Sequence, residues 1–386
     1  MHEVIPLSLY IHIPWCIQKC PYCDFNSHAI ESGFDEQSYV NALLKDLDSQ
    51  LPLIWGRPVR TVFIGGGTPS LISGSAMTQL LSELRARLGL GPEVEITLEA
   101  NPGTADSRNF GEYRQAGINR LSLGIQSLHD QRLRELGRIH DAKEAGTAVR
   151  LARDAGFENI NLDMMFGLPG QSVESAMQEL RALLEFEPEH VSYYQLTLEP
   201  NTLFYKHPPV LPEEDEVDDI HLAGMEQLAS RGYGRYEISA FARNKQDCAH
   251  NINYWAYGDY LGIGAGAHSK ISSPGAESIR RMVKQKHPQR YMQAAGTVEN
   301  LMQDFEVGMA DRPFEFMMNA MRMPQGVERE SFTQRTAIDW QGVAHIVAAA
   351  VEAGQMEIDT HTIQPSESGI RFLNDLIARF LPHDHE

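Results

Sequence analysis

Short β-rich runs alternate with longer helix-like stretches over the first half of the chain. A β-rich run is typical of a strand, and apolar residues repeating every three or four positions are typical of a helix. The predicted strands cover 8–13, 61–65, 95–100, 120–125, 159–166 and 190–197, and the helix-like stretches between them include 38–51, 75–89, 107–117, 142–156 and 173–186. Six strand–helix units predict an α/β fold whose parallel sheet curves into a partial, open (β/α)6 TIM-like barrel.

Polar residues stand at or just past the C-terminal ends of five of these strands. They are Thr68, Glu99, Gln126, Asp163 and Thr197. In parallel barrels this rim is where active sites are built, so we expect these side chains to surround a ligand. The alternative is that they are polar only because loops face water.

The strand–helix repeat ends near residue 200. An acidic, proline-bearing connector follows at 208–219, then one predicted strand at 233–241 and a glycine-rich stretch at 258–270. Beyond about residue 300 the pattern is mostly helical with one short hairpin, which predicts a smaller winged-helix-like α+β domain. The predicted organisation is a barrel core over 1–240, a connecting segment over 241–300 and a C-terminal domain over 301–386.

Composition narrows the classes of function. The chain has 386 residues and a formal net charge of −19, which disfavours binding to nucleic acid. The sequence contains no run of about 18 apolar residues that would predict a membrane span, and its N-terminus does not resemble a signal peptide. A cytoplasmic protein is therefore expected. The stretch 278–292 is an exception to the acidic character, because it carries five basic residues and no acid.

Three of the four cysteines lie close together, at Cys16, Cys20 and Cys23. In a reducing compartment such a group binds a metal more often than it forms disulfides. One interpretation is a zinc site completed by His12 or His28. Another is a redox pair, and a third is an iron–sulfur cluster in which three cysteines leave one iron open.

The spacing C-x3-C-x2-C, with Tyr22 before its last cysteine, resembles the radical S-adenosylmethionine (SAM) superfamily. The stretch GGGTPS at 65–70 follows the second predicted strand, as in that superfamily, and glycine there lets a ligand approach the backbone closely. The resemblance implies a 4Fe–4S cluster on Cys16, Cys20 and Cys23, with SAM bound to the open iron.

Further stretches resemble the subfamily of oxygen-independent coproporphyrinogen III dehydrogenases and HemW-type heme chaperones. They include EANPG, LGIQSLHDQRLRELGRIH, DMMFGLPGQ and GIGAGAHS. The resemblance implies that SAM and the cluster are contacted by Tyr10, Tyr22, Gly66, Gly67, Thr68, Glu99, Gln126, Arg138, Asp163, Thr197 and His268. It identifies no catalytic residue.

Two departures separate the chain from the dehydrogenase. Phe25 stands where that enzyme has a further cysteine, and only 15 residues precede Cys16. In contrast, HNINYW at 250–255 resembles a motif of the heme chaperones and makes His250 a candidate axial ligand for heme iron. A buried His–Asn pair under two aromatics is the alternative.

The sequence therefore predicts a heme chaperone that binds a 4Fe–4S cluster, SAM and heme. It would deliver heme to acceptor proteins, which we expect to be respiratory proteins at the cytoplasmic membrane surface. The alternative function is conversion of coproporphyrinogen III to protoporphyrinogen IX.

Overall fold

A computed structural model describes residues 4–30, 33–54, 56–103 and 109–382. The strands are β1 Leu7–Ile13, β2 Trp15–Cys16, β3 His28–Ala29, β4 Val59–Gly66, β5 Glu95–Ala100, β6 Arg120–Gln126, β7 Ile160–Phe166, β8 His190–Gln195, β9 Gly234–Glu237, β10 Ala240–Ala242, β11 Asp259–Ile263, β12 His268–Ser272, β13 Ile279–Lys284, β14 Leu301–Glu306, β15 Val327–Glu328, β16 Met356–Ile358 and β17 Thr362–Pro365.

The α-helices are α1 Glu36–Gln50, α2 Gly74–Arg87, α3 Phe110–Ala116, α4 Asp130–Glu135, α5 Ala142–Asp154, α6 Val173–Leu184, α7 Leu203–Lys206, α8 Glu214–Ser230, α9 Ala249–Trp255, α10 Pro288–Ala294, α11 Arg312–Ala320, α12 Arg329–Thr336, α13 Gln341–Glu352, α14 Glu367–Arg371 and α15 Leu373–Ala378. Single 3₁₀ turns occur at Leu51–Leu53, Pro69–Leu71, Pro274–Ala276 and Val298–Asn300. The predicted helix-like stretch 107–117 is observed as α3, while its residues 107 and 108 lie outside the described residues.

All six predicted barrel strands are present, as β1 and β4 to β8, and they are parallel. They belong to one twelve-stranded sheet in the order β14-β13-β12-β11-β1-β4-β5-β6-β7-β8-β10-β9. β6 is buried along its whole length, its polar residues included, as expected where a parallel sheet is covered on both faces. The predicted open α/β barrel is thus confirmed.

The sheet is larger than the sequence pattern predicted. The glycine-rich stretch 258–270 contains β11, which pairs with β1 in parallel, and part of β12. Glycine is required at Gly264, where φ is +107° and a Cβ would come within 2.3 Å of the His12 carbonyl oxygen. The stretch 233–241 contains most of an antiparallel hairpin, β9 and β10, rather than the single strand expected.

The basic stretch 278–292 contains β13 and is held by acids from other elements. Lys284 is buried, and its Nζ lies 2.6 Å from Asp46 Oδ1. Arg280 pairs with Asp304 at 2.5 Å. Lys284 and Arg280 are therefore paired with acids, whereas Lys286 and Arg290 of the same stretch are exposed.

The two largest hydrophobic cores of the described residues divide the chain between them. The larger one fills the space between the barrel strands and helices α1, α2, α3, α5, α6 and α8. The second joins the C-terminal helices to the three-stranded sheet β15-β17-β16, and it also includes Tyr257 and Ile279. The boundaries at 240 and 300 stay predictions. Among the described helices, none is long and apolar enough to cross a membrane.

Candidate functional site

A cavity of about 260 Å³ opens at the C-terminal ends of the parallel strands. Twelve of the predicted site residues line it: Cys16, Cys20, Tyr22, Cys23, Gly66, Gly67, Thr68, Glu99, Gln126, Arg138, Asp163 and Thr197. Their positions between residues 16 and 197 show how the parallel strands bring distant loops to one edge of the sheet. We call this the first cavity.

The cysteine loop is held in shape by its own backbone. β2 and β3 pair in parallel, and the loop between them carries Cys20 and Cys23. The Cys23 amide donates to the Cys20 carbonyl at 3.2 Å. Lys19 Nζ donates to the carbonyl oxygens of Phe25 and Ser27 at 3.0 and 3.2 Å. The three thiols therefore reach the cavity from a closed loop.

The donor geometry does not fit a zinc site. Within the described residues, no three His, Cys, Asp or Glu side chains are grouped so that they could hold one metal ion. The two histidines considered as a fourth ligand have other contacts: His12 Nε2 bonds the Asn26 carbonyl at 2.9 Å, and the His28 ring lies against His287. Three cysteines that each bind a different iron of a cluster need not meet at one point.

The surroundings of the thiols fit such a cluster. Burial raises the pKa of the Cys16 and Cys23 thiols, so a metal must displace their protons. The Arg138 guanidinium lies 3.7 Å from Cys20 Sγ and places a positive charge beside the site. Arg138 is fixed by Asn101 Oδ1 at 2.5 Å and by the Gly124 carbonyl at 2.9 Å.

The glycine run leaves no room for side chains. Gly66 has φ +119°, and a Cβ there would lie 2.7 Å from the His12 ring. A Cβ on Gly67 would lie 2.5 Å from the Trp15 carbonyl oxygen. The Gly67 and Thr68 amides donate to the Ile13 and Trp15 carbonyls, both at 2.7 Å. These bonds fix the run against the end of β1 and the cysteine loop.

Two acids lie on the inner wall of the first cavity. Burial and, to a smaller extent, the nearby Asp163 carboxyl together raise the pKa of Glu99 to about 8. The Gly66 amide donates to Glu99 Oε2 at 3.0 Å. Burial also raises the pKa of Asp163, whose Oδ1 accepts from Asn161 Nδ2 at 2.8 Å. Such acids suit the hydroxyl groups of a ribose.

A second cavity of about 740 Å³ adjoins the first. Five predicted site residues line it: Tyr10, His250 and His268, which do not line the first cavity, and Gly66 and Glu99, which line both. Much of its wall is aromatic: Tyr10, Phe63, Tyr254, Trp255 and Tyr260. Its size and lining suit a large flat apolar ligand.

His250 is held so that one ring nitrogen is available. Its Nδ1 lies 2.9 Å from Thr61 Oγ1, and the Thr61 hydroxyl donates to Ser8 Oγ at 2.7 Å. Because the Thr61 proton is used in that bond, Nδ1 donates to Thr61, which leaves the lone pair on Nε2. Burial lowers the pKa of His250 to about 3, so the ring is neutral. A neutral imidazole with a free lone pair has the electronic form in which histidine binds metals.

Four residues line both cavities: Asp24, Phe25, Gly66 and Glu99. We call them the shared wall. Phe25 belongs to this wall and is 59% exposed. The two cavities are therefore separated by single side chains.

Some lining residues were missed from the sequence. Asn101 donates to Thr68 Oγ1 at 2.9 Å, and the Tyr194 hydroxyl donates to Gln126 Oε1 at 2.6 Å. Ser122 could have been found by register, because it is paired with Glu99 and faces the same way. Arg281 and Lys286 of the second cavity carried no signal beyond belonging to the basic stretch.

The chain is similar to known proteins over its whole length. The family model described as Radical SAM superfamily matches residues 10–183, and that described as HemN C-terminal domain matches residues 309–372. The heme chaperone HemW of Escherichia coli K12 is 47% identical over 381 residues, which cover 99% of this chain and 100% of that protein. The heme chaperone HemW of Haemophilus influenzae is 45% identical over 388 residues, with 100% of both chains covered.

A solved structure shows the same fold. Coproporphyrinogen III oxidase (HemN) from Escherichia coli, described as a radical SAM enzyme, matches with a TM-score of 0.82 and covers 98% of this chain and 90% of its own. The sequence identity of that pair is 24%. The match establishes the barrel and the arrangement of the C-terminal part.

Proposed function

Since the chain belongs to the radical SAM superfamily and, within it, to the HemW family, we propose that it is a heme chaperone. It binds a 4Fe–4S cluster and SAM in the first cavity and heme in the second, and it delivers the heme to acceptor proteins. The function for which its relatives are named supports this proposal, and the geometry of both cavities fits it.

The residues of the first cavity fit the cluster and SAM. Cys16, Cys20 and Cys23 would hold the cluster, which supplies an open iron for SAM and a source of single electrons. The backbone of Gly66 and Gly67 allows close approach of the methionine end, while Glu99 and Asp163 offer acceptors for ribose hydroxyls.

The observation that carries the heme proposal is the His250 imidazole. It is neutral and lines an aromatic cavity, and its Nδ1 is bound to Thr61 so that Nε2 keeps the lone pair. The Phe63 ring lies 5.0 Å from the His250 ring, and Tyr254 packs 5.1 Å from Tyr260. Flat aromatic surface next to a neutral imidazole is what an iron porphyrin requires.

Heme spectra of a His250→Ala variant test this assignment. We expect a shifted Soret band and about tenfold weaker heme binding, while iron content and SAM affinity stay at wild-type values. Added imidazole should restore the wild-type band by entering the space left by the ring. His268→Ala is the matched control, since His268 lines the same cavity and is exposed. A wild-type spectrum in His250→Ala, or a shift only in His268→Ala, contradicts the proposal.

The dehydrogenase is the second candidate, favoured by the structural match to HemN. That match shows the fold alone, and Phe25 occupies the position of the enzyme's extra cysteine. We therefore expect no vinyl groups to form when the reduced, cluster-loaded protein is incubated with coproporphyrinogen III and SAM. Steady formation of protoporphyrinogen IX would replace the chaperone proposal with this one.

The compartment and the acceptors of heme transfer are also part of the proposal. We propose that transfer occurs in the cytoplasm and that the acceptors are respiratory proteins at the membrane surface. The acidic net charge of −19 supports contact with basic acceptor surfaces. Transfer of heme from the loaded protein to apo-proteins of different charge, measured with and without 0.5 M salt, tests this: transfer should favour basic acceptors at low salt only.

A further inference from the structure

The acidic and basic side chains of the second cavity come from different elements. Its acids, Asp24 and Glu99, belong to the shared wall beside the first cavity, and the raised pKa of Glu99, about 8, keeps that carboxyl protonated at neutral pH. Its lysine and arginine, Arg281 and Lys286, lie on β13 and just after it. A ligand that is apolar over its face and negative along one edge therefore suits this cavity with its negative edge toward Arg281 and Lys286.

Arg281 is oriented by groups from outside the barrel strands. Its Nη2 donates to Glu315 Oε2 at 2.7 Å, and its Nη1 donates to the Tyr260 hydroxyl at 2.6 Å. The Tyr257 hydroxyl donates to the same Glu315 oxygen at 2.7 Å. A guanidinium has five N–H donors, so these two bonds leave others for a ligand. Glu315 lies on α11 and fixes the guanidinium from the C-terminal core.

The register of the strands distinguishes Arg281 from its neighbour. Arg281 is opposite Lys270 on β12, whereas Arg280 is opposite Ile271. Successive side chains of a strand point to opposite faces, so Arg280 lies on the other side of the sheet. There it pairs with Asp304 and is absent from the lining of the second cavity.

Lys286 is placed by its backbone. Its carbonyl oxygen accepts from Asn26 Nδ2 at 2.9 Å, which ties the end of β13 to the chain just after the cysteine loop. The Lys286 side chain is exposed at the cavity, so its ammonium is available to a ligand. The indole N–H of Trp255, on the same lining, is buried and has no hydrogen-bond partner among the described residues.

We propose, resting on the proposed function, that Arg281 and Lys286 recognise the carboxylate side chains of the porphyrin, with Glu315 as the residue that positions Arg281. The cavity then selects an iron porphyrin with free acid groups on one edge. Charge-assisted bonds from a guanidinium to a carboxylate are about twice as strong as neutral ones, which gives the acids a measurable share of the affinity.

The test compares Fe(III) protoporphyrin IX with its dimethyl ester, which keeps the iron and the flat ring but has no free acid. With cluster-loaded wild-type protein, we expect the ester to bind about tenfold more weakly than the diacid. Arg281→Met should weaken the diacid about threefold, since Lys286 keeps the rest of the preference, and leave the ester unchanged, because the interaction it removes is already missing there. Arg280→Met, the matched control, should bind both ligands as the wild type does.

Glu315→Gln tests the positioning role. It keeps the size of the side chain but loosens Arg281, so we expect a diacid-to-ester preference between those of the wild type and Arg281→Met. Equal affinities of the two porphyrins for the wild type, or equal weakening of both by Arg281→Met, would overturn the inference while leaving heme binding intact. Failure of the wild type to bind either porphyrin overturns the proposed function itself.

Discussion

The two cavities lie side by side but are built in different ways. The first is small, and its wall comes from the ends of consecutive strands and the loops that follow them. The second is nearly three times larger and depends on α9, β12 and β13, whose sequences lie far from β1 and β4. Thr61 and His250, whose hydrogen bond holds the imidazole in its wall, are separated by 189 positions. The comparison shows that one sheet can carry one site built from consecutive strands and another site built from segments that are far apart in the sequence.

The difference extends to how each site is held. In the first cavity a chain of polar bonds runs from Arg138 through Asn101 to Thr68, so the cavity residues fix one another. In the second, His250 is fixed from behind by Thr61, and Arg281 by Glu315 of the C-terminal part. Ligand binding in the second cavity therefore depends on contacts with the C-terminal core, whereas ligand binding in the first cavity does not.

Loss of a cluster cysteine is the largest expected effect and separates the two cavities most clearly. Cys20→Ala removes one of three thiolates, so we expect the reconstituted protein to lose most of its iron and its SAM binding. Heme binding should remain within about twofold of wild type, because no cysteine lines the second cavity. Iron and sulfide analysis, calorimetry with SAM and heme titration give the three values.

Cys248→Ala is the matched control for that prediction. Cys248 is also a free thiol, but it is buried beside Glu95, with its Sγ 3.6 Å from Oε1. It should keep full iron content. Equal iron loss in both variants would show that the three-cysteine assignment is wrong. Loss of heme binding in Cys20→Ala would show that heme binding depends on the cluster, contrary to the separation of the two cavities.

Gly66→Ala should damage both cavities at once. A Cβ there would meet the His12 ring of the second cavity at 2.7 Å, in a residue held at φ +119° on the shared wall. The sequence predicted that glycine in this run lets a ligand approach the backbone closely, and the structure adds that a side chain at Gly66 would be directed toward His12. We expect SAM and heme affinities both to fall, and the free energy of unfolding to fall by about 1–3 kcal/mol.

Gly156→Ala is the control that distinguishes the effect of backbone strain from that of the contact between a new Cβ and His12. Gly156 has φ +86°, and a Cβ there would meet nothing within 4 Å. It should lower the free energy of unfolding through backbone strain but leave both ligand affinities unchanged. If Gly66→Ala weakened only SAM, the shared wall would not connect the cavities in the way described.

The sequence predicted the first cavity well because its signals are local. Each strand run is followed within a few positions by the residue that lines the cavity, as with Glu99 on β5 and Gln126 at the end of β6. The topology of parallel strands then brings these positions together without further information. Asn101 was missed because one amide after a strand has no distinguishing pattern.

The second cavity could be predicted only in part, for a physical reason. Its motif HNINYW was visible, but nothing in the chain near residue 250 indicates that α9 packs on β1 and β4 and turns His250 toward Phe63. The basic stretch showed where positive charge lies in the sequence but not which side chains face the cavity, since only the pairing of β12 with β13 distinguishes Arg281 from Arg280. Contacts between distant segments decide this site, and a single sequence does not contain their pairing.

The smallest expected effect concerns Glu99, the acid that both cavities share. Burial raises the pKa of Glu99 to about 8, and the Asp163 carboxyl contributes in the same direction. Between about pH 4.5 and 8 the folded protein keeps a proton that the unfolded chain has lost. The contribution of this carboxyl to stability therefore decreases as pH rises through that range, and the full penalty is present above about pH 8.

Glu99→Gln cannot ionise and keeps an oxygen that accepts from the Gly66 amide. Without SAM, its melting temperature should equal that of the wild type near pH 5 and exceed it by about 2 °C at pH 9. Glu226→Gln, at an exposed position, should show no such trend. A constant difference from pH 5 to 9 would contradict the raised pKa. Above about pH 8, where Glu99 is ionised, a glutamine accepts a ribose hydroxyl less strongly than the carboxylate does. SAM affinity there should therefore fall several-fold in Glu99→Gln while heme affinity does not change, which would assign Glu99 to the first cavity.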